Sequence, residues 1–165
     1  MIIVDDHLAV WALAGRGSRL WPGEVPAIPW GFHFRLLRAL LDSRVRGRLS
    51  EGIDERMVRA ALAPPAAVLT VLDPRHLTVT AAQLMSRHRL SVVTSELLAA
   101  ALVHRAPVHV AESNVGRSWR DAFTQEGVSI HIHPPAPEPP LTQRKATRPA
   151  RIVMRTTPSG PPEQR

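Results

Sequence analysis

Short apolar runs alternate with helix-patterned stretches through the first 133 residues, and this alternation narrows the folds open to the chain. Met1 to Val4 is a brief apolar run that reads as a buried parallel strand. Asp6 to Ala14, with Leu8, Val10, Trp11 and Leu13, reads as a buried helix closed by Gly15. Residues 15–29 hold Gly15, Gly17, Pro22, Gly23, Pro26 and Pro29 and read as a loop. Trp30 to Leu41 sets Phe34, Leu37, Arg38 and Leu41 at helical spacing, with Leu36 and Leu40 widening the apolar face. A further helix is expected over Asp54 to Leu62, ended by Pro64 and Pro65. Ala67 to Leu72 reads as a strand, Thr80 to His88 as a helix and Leu90 to Val93 as a β-branched strand. Glu96 to His104 then reads as an Ala/Leu-rich helix capped by Thr94 or Ser95. Pro107 to Val110 is a strand candidate, Trp119 to Glu126 a helix stopped by Gly127, and Val128 to Ile132 a last strand.

Strands separated by helices over this length imply right-handed parallel βαβ units, hence an α/β domain with a central parallel sheet. In such sheets, ligands bind at the carboxyl ends of the strands. Three expected strand ends carry acids: Asp5 and Asp6 after the first strand, Glu96 three residues past Val93, and Glu112 two residues past Val110 with Asn114 beside it. In a parallel sheet these groups share one edge. Carboxylates without thiolates suit hard cations such as Mg²⁺ or Mn²⁺, which activate water and neutralise phosphodiester charge. Each acid also has an ordinary reading, as a cap in the first turn of a helix.

A domain of residues 1–133 is expected, followed by a tail of residues 134–165 that holds 9 of the 16 prolines and Arg144, Lys145, Arg148, Arg151, Arg155 and Arg165. Such a segment has too little apolar surface to fold alone and is expected to be a basic, disordered extension, with Arg151 to Met154 able to order on a partner. The formal charge of +7 favours polyanionic partners. The absence of cysteine excludes disulfides and thiolate zinc sites. No apolar run approaches the ~20 residues that span a bilayer. The opening Met1-Ile2-Ile3-Val4-Asp5-Asp6 lacks the basic, then long apolar pattern of a secretory signal, so a cytoplasmic protein with no membrane partner is expected.

The run Ile2-Ile3-Val4-Asp5-Asp6-His7-Leu8 resembles the first motif of PIN domains, an apolar strand ending in an essential aspartate. Ser95-Glu96-Leu97-Leu98-Ala99-Ala100-Ala101, followed by Arg105-Ala106-Pro107-Val108, is similar to the family's third-acid helix and next strand. Val110-Ala111-Glu112-Ser113-Asn114 resembles its last acidic motif, ahead of a helix and Gly127-Val128. The likeness covers the first 15 residues and residues 90–132, and Trp30-Gly31-Phe32-His33-Phe34 resembles a divergent bacterial branch. The resemblance implies a three-layer α/β/α fold and a metal-dependent ribonuclease, often the toxin of a toxin–antitoxin pair. Its partners would be RNA, an antitoxin protein and a second copy in a homodimer. Asp5, Glu96 and Glu112 would be catalytic, and Asp5, Asp6, Glu96, Glu112 and Asn114 would hold Mg²⁺ or Mn²⁺. The chain departs from the family where aspartates are usual at the positions of Glu96 and Glu112. Asn114 also replaces a common acid, and the family's second acid lacks a counterpart, with Glu51, Asp54 and Glu55 falling later. The departures support an alternative, a catalytically degenerate module that binds RNA or a protein.

Further candidates lie outside the acids. His7 and His33 have the chemistry of ligands or acid–base groups, and His131 and His133 alternate along the last strand. Trp11, Trp21, Trp30 and Trp119 suit base stacking, although the apolar surroundings of Trp11 and Trp30 favour the core. Arg35, Arg38, Arg44, Arg46 and Arg48 form a basic stretch that tracks a phosphate backbone or solvates a helix.

Overall fold

The computed structural model describes residues 1–42 and 68–134. The expected helix at Asp54 to Leu62, the later acids Glu51, Asp54 and Glu55, the arginines Arg44, Arg46 and Arg48, and the tail from residue 135 lie outside the described residues.

Among the described residues five strands form one sheet, and every neighbouring pair is parallel. They are β1 (Ile2–Val4), β2 (Pro26–Pro29), β3 (Thr70–Leu72), β4 (Val108–Ala111) and β5 (Ile130–His133), ordered β3-β2-β1-β4-β5. β1 lies at the centre and is buried throughout, because its Ile-Ile-Val run is apolar on both faces. Its register pairs Ile3 with Ala27 on one side and Val108 on the other. From β1 the chain winds outward to β2 and β3, then returns past β1 to β4 and β5. The reversal of strand order falls between β1 and β4, whose carboxyl ends are the usual ligand position in such sheets.

Helix α1 (Asp6–Leu13) follows β1 directly, α2 (Gly17–Leu20) is a single turn, and α3 (Trp30–Leu41) follows β2. A 3₁₀ turn at Pro74–His76 leads from β3 into α4 (Thr78–His88), α5 (Val92–His104) precedes β4, and α6 (Arg117–Gln125) joins β4 to β5. The core is one cluster in which Leu8, Phe32, Leu36, Leu97, Leu98 and Phe123 pack around Ile3, Ile28 and Val108. The architecture is α/β around an all-parallel sheet, as the strand–helix alternation implies.

Two expectations are corrected. Residues 15–29 are not all loop, since they contain α2 and the interior strand β2. The prolines that suggested a loop stand at the two ends of β2, where a missing N–H interrupts the ladder least. Between them Ala27 and Ile28 are fully buried. Leu90 to Val93 is not a strand, for Val92 and Val93 open α5. Ser91 is the N-cap, its Oγ accepting from the Thr94 backbone N–H at 3.2 Å, so neither Thr94 nor Ser95 caps this helix. The β-branched run favours extended structure only weakly, and the cap together with burial of Leu97 and Leu98 outweighs it. Other boundaries shift by one to three residues. Arg89 and Arg105, with φ of 53° and 50°, end α4 and α5 in the left-handed conformation without the glycine that usually marks such stops.

Replacing the cap by Ser91→Ala is expected to lower stability by about 1 kcal/mol, read as a reduced urea midpoint with an unchanged slope. Were residues 90–93 a strand, alanine there would leave the midpoint essentially unmoved.

Candidate functional site

Asp5 directly follows β1 and is fully buried. One carboxylate oxygen, Oδ1, accepts the Leu8 backbone N–H at 2.9 Å and so caps α1. The other, Oδ2, accepts the Ala111 backbone N–H at 2.8 Å and the Asn114 side-chain amide at 2.7 Å. Three donors from α1, the end of β4 and the turn after it therefore converge on one buried carboxylate, and their hydrogen bonds offset the cost of its burial.

Asp6 opens α1 and is nearly buried. Its Oδ1 accepts a second bond from Asn114 Nδ2 at 3.0 Å, and its Oδ2 lies 3.2 Å from Arg35 Nη2. Asn114 faces two carboxylates, so only its amide nitrogen suits that position. Arg35 reaches in from α3 with its guanidinium carbon 5.1 Å from the Phe32 ring centre. Burial pushes the Asp6 carboxyl above its ordinary range, the Arg35 charge pulls against this, and the adjacent Asp5 adds to the upward push.

The other acids take different roles. Glu96 does not follow a strand, because α5 begins at Val92, four residues earlier. Its Oε2 accepts the Gly31 backbone N–H at 2.8 Å, capping α3 from a neighbouring helix. A Cβ at Gly31 would stand 2.4 Å from that oxygen, so the contact needs glycine. Glu112 sits in a 3₁₀ turn at Glu112–Asn114 directly after β4, and it is exposed. Beside it, Ser113 Oγ lies 3.3 Å from His7 Nδ1. Asp5, Asp6 and Asn114 are thus brought together, whereas Glu96 serves α3 and Glu112 faces solvent.

This arrangement does not fit a bound Mg²⁺ or Mn²⁺ as it stands. Among the described residues no three His, Asp or Glu side chains form a metal-holding group. More directly, both Asp5 oxygens are engaged by N–H donors, and the space between Asp5 and Asp6 is bridged by an amide nitrogen rather than by an oxygen ligand. Arg35 supplies the neutralising charge at Asp6.

A histidine cluster on β4 and β5 is only partly legible in the sequence. The register pairs His109 with His131, and their rings stack at 4.5 Å. His109 Nδ1 accepts from Trp21 Nε1 at 3.0 Å and lies 2.8 Å from His133 Nε2. The indole only donates, so His109 presents a bare Nδ1 and carries its proton on Nε2. Burial, with the neighbouring His131 and His133 charges, draws His109 down to about 4, and His133 is lowered by burial and His131. The alternation of His131 and His133 was visible, but the join to His109 and Trp21 depends on strand register. Trp21 itself is buried in the core rather than presented to a base.

Comparison with known proteins places the chain in no family, since no family model and no curated protein matches it.

Two adjacent acids are expected to respond to very different extents. Asp5→Asn sets an amide N–H against one of its three donors and should cost about 2–4 kcal/mol in urea unfolding. Asp6→Asn retains an acceptor for Asn114 and removes a disfavoured charge, so stability at pH 7 should stay within about 1 kcal/mol of wild type. His109 gives a pH signature. Its proton affinity is lower folded than unfolded, so between about 6.5 and about 4 the unfolded chain binds more protons, and stability falls as pH falls through that window. His109→Gln should flatten this slope in urea midpoints measured from pH 7 to pH 4.

Proposed function

We propose that this is a three-layer PIN-like domain that binds RNA at the carboxyl edge of its sheet without cleaving it, the degenerate form of the fold. The observation that carries this reading is the bridge of Asn114 and Arg35 across Asp5 and Asp6, which satisfies the acids by hydrogen bonds and an ion pair. With both acids engaged by these donors and one guanidinium set against the pair, the edge holds its shape without a cation and repels a polyanion less than a bare acidic cluster would.

The surroundings add cationic character. Helix α6 starts beside this edge at Gly116, with no side-chain cap and no acid in its first turn, and with the exposed Arg117 and Arg120 instead. Arginines there oppose the helix dipole and gain from a phosphate that accepts from both the backbone N–H groups and the guanidinium. The chain's formal charge of +7 acts in the same direction.

A second reading, metal-dependent RNA hydrolysis with the toxin role and antitoxin partner it would imply, draws on the Asp6 carboxyl. Burial first, and the adjacent Asp5 after it, push this carboxyl upward, a penalty on its charged form that a divalent cation would relieve. It requires Asn114 and Arg35 to release the acids.

Fluorescence anisotropy of the full chain with single-stranded RNA decides between them. The expected result is binding with a salt slope of about −0.7 per phosphate contact, unaffected by a chelator, with the RNA left intact in Mg²⁺ or Mn²⁺. Arg117→Glu with Arg120→Glu should weaken binding at least about tenfold, by replacing attraction with repulsion. Mn²⁺- or Mg²⁺-dependent cleavage that disappears in a folded Asp6→Asn variant would establish the second reading.

A further inference from the structure

Helix α3 buries Phe32, Leu36, Ala39 and Leu40, while its other side carries aromatic and basic side chains. Trp30 has apolar neighbours in sequence that favour the core, yet it is 48% exposed, and Phe34 is 53% exposed. Their rings stack on each other, 5.6 Å apart and 17° from parallel. Each step of four residues advances ~40° around a helix, so Trp30, Phe34 and the exposed Arg38 form one ridge. A single exposed apolar side chain needs no explanation, but two stacked rings in line with a cation do.

This ridge starts at the carboxyl edge of the sheet, because Trp30 directly follows β2. Glu96 fixes the start by accepting the backbone N–H of Gly31, the next residue. Phe32 then meets Trp119 of α6 edge to face, with ring centres 6.4 Å apart, so the first turns of α3 and α6 are neighbours. On one side of that contact the exposed Arg117 and Arg120 flank Trp119, and on the other the Arg35 guanidinium lies over the Phe32 ring. Stacked rings and guanidinium groups therefore border one another along the same edge.

We propose that Trp30 and Phe34 form a base-stacking platform for an RNA strand whose phosphates meet the arginines of α6. The inference rests on the RNA-binding reading and adds where the bases lie. Every base has a π face, so an open indole and phenyl pair accepts any of them, with purines favoured by their larger face. A protein partner would also cover two exposed rings, but Arg38 in line with them and Arg117 and Arg120 beside them suit a polyanion. The exposed Leu41 lies ~16 Å along the helix axis from Trp30, beyond the platform.

Fluorescence anisotropy of the full chain tests it with single-stranded oligoadenylate and an abasic ribose-phosphate oligomer of the same length. Trp30→Ala and Phe34→Ala should each weaken oligoadenylate binding at least about fivefold with the salt slope unchanged, since stacking releases no counterions. Trp30→Phe should keep most of the affinity. Wild type and Trp30→Ala should bind the abasic oligomer alike. Unchanged far-UV dichroism and a cooperative melt show that the variants fold. Should the alanine variants unfold, RNA carrying 2-aminopurine replaces them, its fluorescence being quenched when the base stacks on the wild-type protein. Folded alanine variants that bind oligoadenylate as tightly as wild type, an equal loss on the abasic oligomer, or unquenched 2-aminopurine would overturn the platform. Each would leave RNA binding at α6 in place and assign the rings to a protein contact. A wild-type chain with no affinity for RNA would remove the RNA-binding reading and the platform with it.

Discussion

The buried Asp5 carboxylate holds the centre of this structure together. It directly follows the central strand, caps the helix that comes next, and takes the backbone N–H of Ala111 where the neighbouring strand β4 ends. A charge with no solvent exposure is costly unless it is fully paired, and here each donor comes from an element whose position the sheet topology sets. The same anion therefore rewards the correct pairing of β1 with β4 and penalises any slip in register. The reversal of strand order, between β1 and β4, falls at this carboxylate.

Around that anchor, neighbouring acids diverge in role because their surroundings differ. Asp5 is saturated by donors, Asp6 is held by Arg35 and Asn114 against the penalty of burial, Glu96 caps a helix distant in sequence, and Glu112 remains in solvent. Four acids drawn to one sheet edge suggest a single site, yet carboxylates serve equally well as helix caps and ion-pair partners. The presence of Asn114 is decisive for the local chemistry. An amide nitrogen between two carboxylates does by hydrogen bonding what a metal would do by charge, and it brings no positive charge of its own.

Much of the fold was legible, and the misreadings have specific causes. β1 follows directly from its short Ile-Ile-Val run, and α3 from helical spacing. Phe34 and Leu41, which carry that spacing, are nonetheless exposed, while Phe32, Leu36, Ala39 and Leu40 face the core. β2 was hidden by Pro26 and Pro29, whose local preference for turns yields to pairing on both sides through Ala27 and Ile28. The start of α5 was hidden by Val92 and Val93, whose β preference is smaller than the value of a good cap and a buried leucine face. Of the candidate site, Asp5, Asp6 and Asn114 were identified and do meet. The contributions of Arg35, Ala111 and Gly31 were not identifiable, because each contact joins segments tens of residues apart with no local pattern to announce it.

By itself, then, the sequence determined an α/β chain with an apolar first strand, acids directly after it and an apolar-patterned helix over Trp30 to Leu41. These are properties of neighbours in the chain, and local periodicity and composition carry them. Only the tertiary structure decided that Trp21, His109 and His133 share hydrogen bonds, that Glu96 caps α3, and that an amide and a guanidinium close the space between Asp5 and Asp6. Those outcomes depend on strand order and register. Both arise from burying the whole core at once, a condition that no single segment of the chain expresses.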